Sequence, residues 1–171
     1  KIISRGSSFC RKMLLNGDLD IALLGSNYPL KEPNLITETF ARSPYKIIVG
    51  YDHPWANRQS VSIEELRGQR FISQNESFVQ HRALKKMARL GHFRLNIVCQ
   101  TDNVNILKAL VAENIGISLQ TAISINPDDH LHAIDIEAED FPTFNMSIAY
   151  HARHYLTDKQ QQLLDILRKS I

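Results

Sequence analysis

Small polar residues recur where strands of this chain give way to helices or turns. They are Gly25-Ser26 after Leu24, Ser73-Gln74-Asn75 after Ile72, and Thr101-Asp102 after Cys99-Gln100. In open α/β sheets, ligands sit outside the carboxyl ends of the strands. Helix N-termini there present free N–H groups and partial positive charge, which suits an anion. Amides and hydroxyls of this kind hold a ligand. They do not act as general acid or base near neutral pH without strong activation, so the pattern favours binding over catalysis. Ser77 and Asp102 also serve as candidate helix caps.

Other chemistry lacks its constellation. His151-x-x-His154 and His130-x-His132 have no third ligand in view, so they read as solvated histidines and no metal is expected. Cys10 and Cys99 stand far apart with no CxxC spacing, as expected of two buried free thiols in a reducing compartment. GxSxG, P-loop and GxGxxG motifs are absent. Neither a catalytic residue nor a cofactor is expected.

The elements that must position these loops follow from periodicity. KIIS (1–4) reads as a strand, followed by a helix capped by Ser7 or Ser8, carrying Phe9, Met13 and Leu14, and closed by Gly17. The apolar run 18–24 reads as a buried parallel strand. Residues 27–44, with three prolines, form a loop with an edge strand near 35–40. Tyr45–Gly50 alternates as a strand and ends in the Asp52-His53-Pro54 turn, since proline lacks an N–H and forces His53 to extend. It is a candidate crossover between two lobes.

Ser62 with Glu65 is a capping box for a short helix ended by Gly68. Residues 69–73 form a strand. Ser77 with Gln80 makes a second box, for a helix to Leu90 with Val79, Ala83, Met87 and Leu90 on one face. Arg82, Lys85, Lys86 and Arg89 form its solvated back. Residues 94–100 are a strand. A helix capped by Thr101 or Asp102 turns Val104, Leu107, Leu110 and Val111 inward, and 115–119 is a further strand. This run from 70 to 119 is a parallel α/β lobe. Strands 131–136 and 145–151 flank an acidic loop with Asp135, Glu137, Glu139 and Asp140. A third box, Thr157 with Gln160, opens a last helix lined by Leu156, Leu163, Leu164, Leu167 and Ile171.

Composition agrees with a globular α/β protein. The chain has 171 residues, 43% hydrophobic and 22% charged, long enough to bury roughly 70% of its unfolded surface. Twenty Lys plus Arg against 18 Asp plus Glu leave +2, too balanced for a surface that grips phosphate backbones. With no apolar run near membrane-span length, a cytoplasmic location is expected. The abrupt start at Lys1 reads as a piece of a longer protein.

Four stretches, in order, resemble the effector-binding domain of LysR-type transcriptional regulators. GDLDIALL (17–24) is similar to that family's turn and strand. YKIIVGYDHPWA (45–56) with SIEELRGQRFIS (62–73) resembles its crossover strand, His-Pro turn, short helix and next strand. LKALVAENIGISL (107–119) resembles its helix-then-strand segment, and IAYHA (148–152) with the last helix its closing return. The chain departs at Leu119-Gln120, where the family often has Leu-Pro. It also departs at Asn114-Ile115-Gly116, where the family often has Gly-Leu-Gly.

The resemblance implies a two-lobed periplasmic-binding-protein-like (type II) fold, two Rossmann-like lobes joined by two crossover strands. Lobe I would be 1–46 plus 149–171, lacking its first βα unit, and lobe II 47–148. A small, anionic effector would sit in the interlobe cleft against Gly25, Ser26, Ser73, Gln74, Asn75, Thr101, Asp102 and Gln120. Tyr45, Lys46, Ile47, Ile148 and Ala149 would form the hinge. The domain would assemble as homodimers or homotetramers, and DNA would be bound only through a winged helix-turn-helix outside this chain. The alternative readings of this chain are a solute-binding protein of the same fold and, after it, a non-regulatory enzyme.

Overall fold

The computed structural model describes residues 2–169. Residues 2–4 form no strand, and Ile2 is 98% exposed. This corrects the strand expected at KIIS, whose Lys1 lies outside the described residues. An extended segment needs a neighbouring strand for its backbone groups, and among the described residues none pairs with it.

In chain order the elements are α1 (Ser7–Asn16), β1 (Ile21–Ser26), β2 (Leu35–Ser43), β3 (Tyr45–Gly50) and β4 (Ser60–Ser62). A one-turn 3-10 helix (Glu64–Leu66) leads to β5 (Arg70–Ser73), α2 (Val79–Leu90), β6 (Asn96–Gln100), α3 (Val104–Ala112) and β7 (Ser118–Thr121). β8 (Leu131–Glu137), β9 (Phe144–His151) and α4 (Asp158–Lys169) complete them. The chain packs as two compact units, Lys1–Arg42 with Phe144–Ile171, and Ser43–Thr143.

In the first unit, α1 has Gly6 at its N-cap and no side-chain cap. The Ser7 hydroxyl accepts the Gly25 N–H at 2.9 Å instead, which corrects its expected capping role. Gly17 takes φ 81°, as the Asn-Gly ending predicts, because only a residue without Cβ adopts it freely. The sheet order is β1-β9-β2. β1 is antiparallel to β9, with Ala22 opposite Ala149 and Leu23 opposite Ile148. The expected parallel strand is thus corrected: Leu23 is 43% exposed while Leu24 is buried, so the strand has one wet face.

Cys10, Leu14, Ala22, Leu24, Leu35 and Ala149 form this unit's core cluster. α4 opens with the expected capping box: Gln160 Oε1 accepts the Thr157 N–H at 2.9 Å, and Thr157 Oγ1 accepts the Gln160 N–H at 3.4 Å. Of its expected apolar stripe only Leu164 is buried, and Leu163 is exposed. Ile171 lies outside the described residues.

The second unit holds a four-stranded sheet, β4-β8-β3-β7. β3 runs antiparallel to both neighbours and is almost wholly buried, with Ile47, Ile48 and Val49 at 0% exposure. A second, parallel sheet pairs β5 with β6. Its register slips between Phe71 and Ile72, so Ile72 meets Cys99 and Val98 is left over. Phe71 also bridges Ile117 in parallel. The parallel run expected from 70 to 119 therefore holds as far as Ile117, after which β7 joins β3 antiparallel. Leu107 and Val111 of α3 pack with Ile48 and Ile72. On α2, Val79, Ala83, Leu84 and Met87 are buried, but Leu90, expected inward, is exposed at the last turn.

Polar contacts tie this unit together. Ser62 and Glu65 form the expected box: Glu65 Oε2 accepts the Ser62 N–H at 2.9 Å, and Ser62 Oγ the Glu65 N–H at 3.4 Å. Arg58 grips the same carboxylate at 2.6 and 3.0 Å, and chiefly this bond holds Glu65 down to about 2. Asp135 and Glu137 lie on β8, not in a loop as expected, because pairing with β3 and β4 extends the strand through them. Asp135 accepts from Lys46 at 2.6 Å. Burial pushes the Tyr45 phenol upward.

Gly116 lies where backbones come close. A Cβ there would stand 2.6 Å from the Arg70 carbonyl oxygen, which also accepts the Ile117 N–H at 2.8 Å. Backbone cannot swing aside as a side chain can. Gly116→Ala should therefore lose about 1–3 kcal/mol, measured by urea unfolding; an unchanged midpoint would show that the two strands separate freely.

Candidate functional site

β5, β6 and the residues entering β7 all run the same way. Their carboxyl ends bring Ser73-Gln74-Asn75, Gln100-Thr101-Asp102 and Gln120-Thr121 to one end of the second unit. The first two loops are joined directly, since the Thr101 N–H donates to the Ser73 carbonyl at 3.1 Å.

Each member has a defined environment. Ser73 is buried, and its hydroxyl donates to the Gln74 carbonyl at 2.7 Å. His81 Nδ1 lies 3.1 Å from Ser73 Oγ and 3.1 Å from that same carbonyl. Asn75 Oδ1 accepts the Ser77 N–H at 3.1 Å and the Ser77 hydroxyl at 2.7 Å. The Ser77–Gln80 box expected from sequence is thereby corrected: the Asn75 turn takes the Ser77 hydroxyl, and Phe78 is the N-cap of α2, with no side-chain bond. Thr101 Oγ1 accepts the Asn103 N–H at 3.2 Å. Asn103, not Thr101 or Asp102, caps α3, its Oδ1 accepting the Asn105 and Ile106 N–H groups. Asp102 is exposed. Gln120 is buried on β7 opposite Lys46 of β3, and its Nε2 donates to Ser118 Oγ at 3.3 Å.

Gly25 and Ser26 belong to the first unit, at the end of β1. The Ser26 hydroxyl donates to the Tyr28 carbonyl at 2.6 Å. A Cβ on Gly25 would fall 2.6 Å from the Phe144 ring. Tyr45, Lys46 and Ile47 lie in β3, and Ile148 and Ala149 in β9. The chain passes between the units at Arg42–Ser43 and again at Thr143–Phe144.

His81 is a residue that sequence reasoning missed. It is 2% exposed on the inner side of α2. Its spacing to Leu84 and Ala88 places it on one helical stripe, which is the signal that could have found it. Three buried side-chain atoms have no hydrogen-bond partner among the described residues: Gln74 Oε1, His81 Nε2 and Gln120 Oε1. An unmet buried polar atom costs about 1–3 kcal/mol, so this end of the unit is built at a penalty that a bound group can relieve.

Elsewhere, Arg82, Lys85, Ala88, Arg89, Arg94 and Leu95 line a groove of about 550 Å³. Lys85 there bonds Glu76 at 2.9 Å and holds its carboxyl below the usual range. Tyr51 packs against His132 with ring centres 4.6 Å apart and planes tilted by 54°. No group of three metal-capable side chains occurs among the described residues. Cys10 is buried, but Cys99, expected to be buried, is only partly so, although it lies on the inward face of β6 and packs against the Ile48–Ile72–Leu107–Val111 cluster.

The family pattern described as LysR substrate binding domain matches residues 1–171. The chain belongs to this family. Among curated relatives of this LysR domain, the malolactic fermentation system transcriptional activator of Lactococcus lactis subsp. lactis is 29% identical over 168 residues, covering 98% of the chain and 58% of that protein. A probable RuBisCO transcriptional regulator of Phaeodactylum tricornutum is 26% identical over 140 residues, covering 80% of the chain and 46% of its own length. The LysR domain thus spans about half the length of these relatives.

Solved structures share its fold. The CcmR regulatory domain of Synechocystis PCC6803 in complex with 2-PG superposes with a TM-score of 0.79 at 21% identity, covering 97% of the chain and 81% of that domain. The effector binding domain of QuiR in complex with shikimate gives 0.80 at 18% identity, covering 96% and 78%. The LysR domain therefore has the α/β, type II periplasmic-binding-protein-like fold.

Proposed function

We propose that this chain is the ligand-sensing part of a LysR-type transcriptional regulator and takes a small anionic metabolite. The contacts come from Ser73, Gln74, Asn75, Thr101, Asp102 and Gln120 in the second unit. The observation that carries this is the junction of the Ser73–Asn75 and Thr101–Asp102 loops at the carboxyl ends of parallel strands, beside buried acceptors without partners. The N-cap residue of α2, Phe78, offers no side-chain cap, and a helix N-terminus favours negative charge. Amides and hydroxyls at the site support binding without turnover. Solved relatives that hold 2-PG and shikimate support a small-molecule effector.

Ligand uptake favours one state of the domain and shifts its population, with Tyr45–Ile47 and Ile148–Ala149 as the strands that carry the change. The full-length regulator is cytoplasmic, acts as a homodimer or homotetramer, and binds DNA through a winged helix-turn-helix outside this chain. No described helix is long and apolar enough to cross a membrane.

Isothermal titration with small carboxylates and phosphates tests the site. Thr101→Ala should weaken binding by about 2- to 12-fold, the loss of one neutral hydrogen bond, and Ser73→Ala should weaken it through the His81 ring that its hydroxyl positions. Unchanged affinity in both variants removes these residues from the site.

A further inference from the structure

The His81 ring has a tautomer dictated by its neighbours. The Gln74 carbonyl oxygen can only accept, and it stands 3.1 Å from His81 Nδ1. The Ser73 hydroxyl proton is already directed at that carbonyl, at 2.7 Å. The bond therefore needs a proton on Nδ1, shared between the carbonyl and Ser73 Oγ. A neutral ring so arranged leaves a bare lone pair on Nε2. That atom is buried and has no hydrogen-bond partner among the described residues. The nearest ionic group, Glu76 Oε1, is 3.8 Å away and bonded to Lys85. A carboxylate oxygen is itself an acceptor, so it cannot satisfy this lone pair. Gln74, which supplies the carbonyl, carries a second buried acceptor without a partner, its Oε1.

We infer that His81 is a specificity-determining residue of the ligand site, taking a hydroxyl of the ligand on Nε2. The ligand class is thereby narrowed to hydroxylated carboxylates or phosphates: the acid group for the α2 N-terminus, a hydroxyl proton for His81. An acid without a hydroxyl leaves Nε2 unmet and is discriminated against, since an unpaired buried acceptor penalises the wrong ligand more than a lost contact does. Ser73 acts through His81 as a positioning residue, fixing the ring and its tautomer. This inference rests on the ligand-binding role proposed above.

The test uses matched pairs that differ in hydroxyls: quinate with cyclohexanecarboxylate, glycerate with propionate, and glycerol phosphate with propyl phosphate. Each is titrated into the 171-residue chain and into two variants. His81→Asn keeps a donor near the Nδ1 position and removes Nε2. His81→Gln keeps a polar group near Nε2. The expected result is a hydroxylated member bound at least about tenfold tighter than its partner. That ratio should fall to about twofold in His81→Asn and survive largely in His81→Gln.

Nitrogen-15 spectra of the histidine ring in the unmutated chain should show Nδ1 protonated and Nε2 bare, with Nε2 shifting on binding. Equal affinity within every pair overturns the inference while leaving the binding role standing. Failure of every probe to bind removes both. A proton on Nε2 in the free chain, or an Nε2 signal unmoved by a bound ligand, overturns it as well, the second because a water alone then fills the position. A variant that fails to fold leaves the affinity ratios and ring spectra of the unmutated chain to decide.

Discussion

Asp129→Ala is expected to lower the stability of the domain by about 3 kcal/mol. Lys108 is buried on α3, its side chain 7% exposed, and its ammonium donates to Asp129 Oδ2 at 2.6 Å and to the Ser124 carbonyl. Asp129 Oδ2 also accepts the Asn126 N–H at 2.7 Å, holding the turn that precedes β8. Removing the carboxylate leaves a buried ammonium without its counter-charge, which is strongly destabilising. Replacing both partners, Asp129→Ala with Lys108→Met, should recover most of the loss, because a matched apolar side chain needs no counter-charge. Urea midpoints at constant m-value measure both.

The pH dependence follows from the same pair. Burial raises the Asp129 carboxyl, but the Lys108 ammonium and the Asn126 N–H outweigh it and hold the group below its ordinary range. A carboxyl whose folded pKa is depressed binds fewer protons folded than unfolded. Its contribution is therefore present above the unfolded value, roughly 3.9, and is lost as pH falls through the folded one. The unmutated chain should lose more stability between about pH 5 and pH 2 than the double variant does. Equal acid sensitivity, or a loss under about 1 kcal/mol in Asp129→Ala, would remove the pair from this role.

Phe71→Ala should be larger still, at about 3–5 kcal/mol. The ring is fully buried at the residue where β5 meets Ile117, immediately before the register slip at Ile72. Phe71 also lies two positions before Ser73 on the same strand, so the cavity should loosen the Ser73–Asn75 loop and weaken ligand binding with stability. Phe71→Leu, which keeps most of the volume, should lose only about 1 kcal/mol. Similar losses in the two variants would mean that the ring's volume is not what holds these strands.

What sequence could foretell depended on how local the deciding interaction was. The boxes at Ser62–Glu65 and Thr157–Gln160 form as written, because both partners lie within one turn and nothing nearby competes. Ser77–Gln80 has the same spelling, yet Asn75 Oδ1 reaches the Ser77 hydroxyl first. Thr101 and Asp102 were plausible caps, and Asn103 takes the position because the helix starts one residue later. The β1 run looked parallel since an apolar stretch does not record which face is wet. Leu23 is exposed only because no described element covers that side. The polar loops after β5 and β6 were legible from their composition. Their junction was not, since the Thr101–Ser73 bond depends on strand register. His81 escaped notice because a lone histidine declares its direction only once the helix phase is known.

The sheet order of the first unit has a consequence for biosynthesis. β1 and β2 are early in the chain, yet both bond to β9 and not to each other. The whole of Ser43–Thr143 is translated between them and their shared partner. At about 5–20 residues per second, that interval is on the order of ten seconds. Among the described residues, β1 and β2 have no partner strand until β9 is made. The inserted unit carries all of its own strands and can fold on the ribosome in that time. β9 then bonds to both β1 and β2, joining strands made before and after the inserted unit.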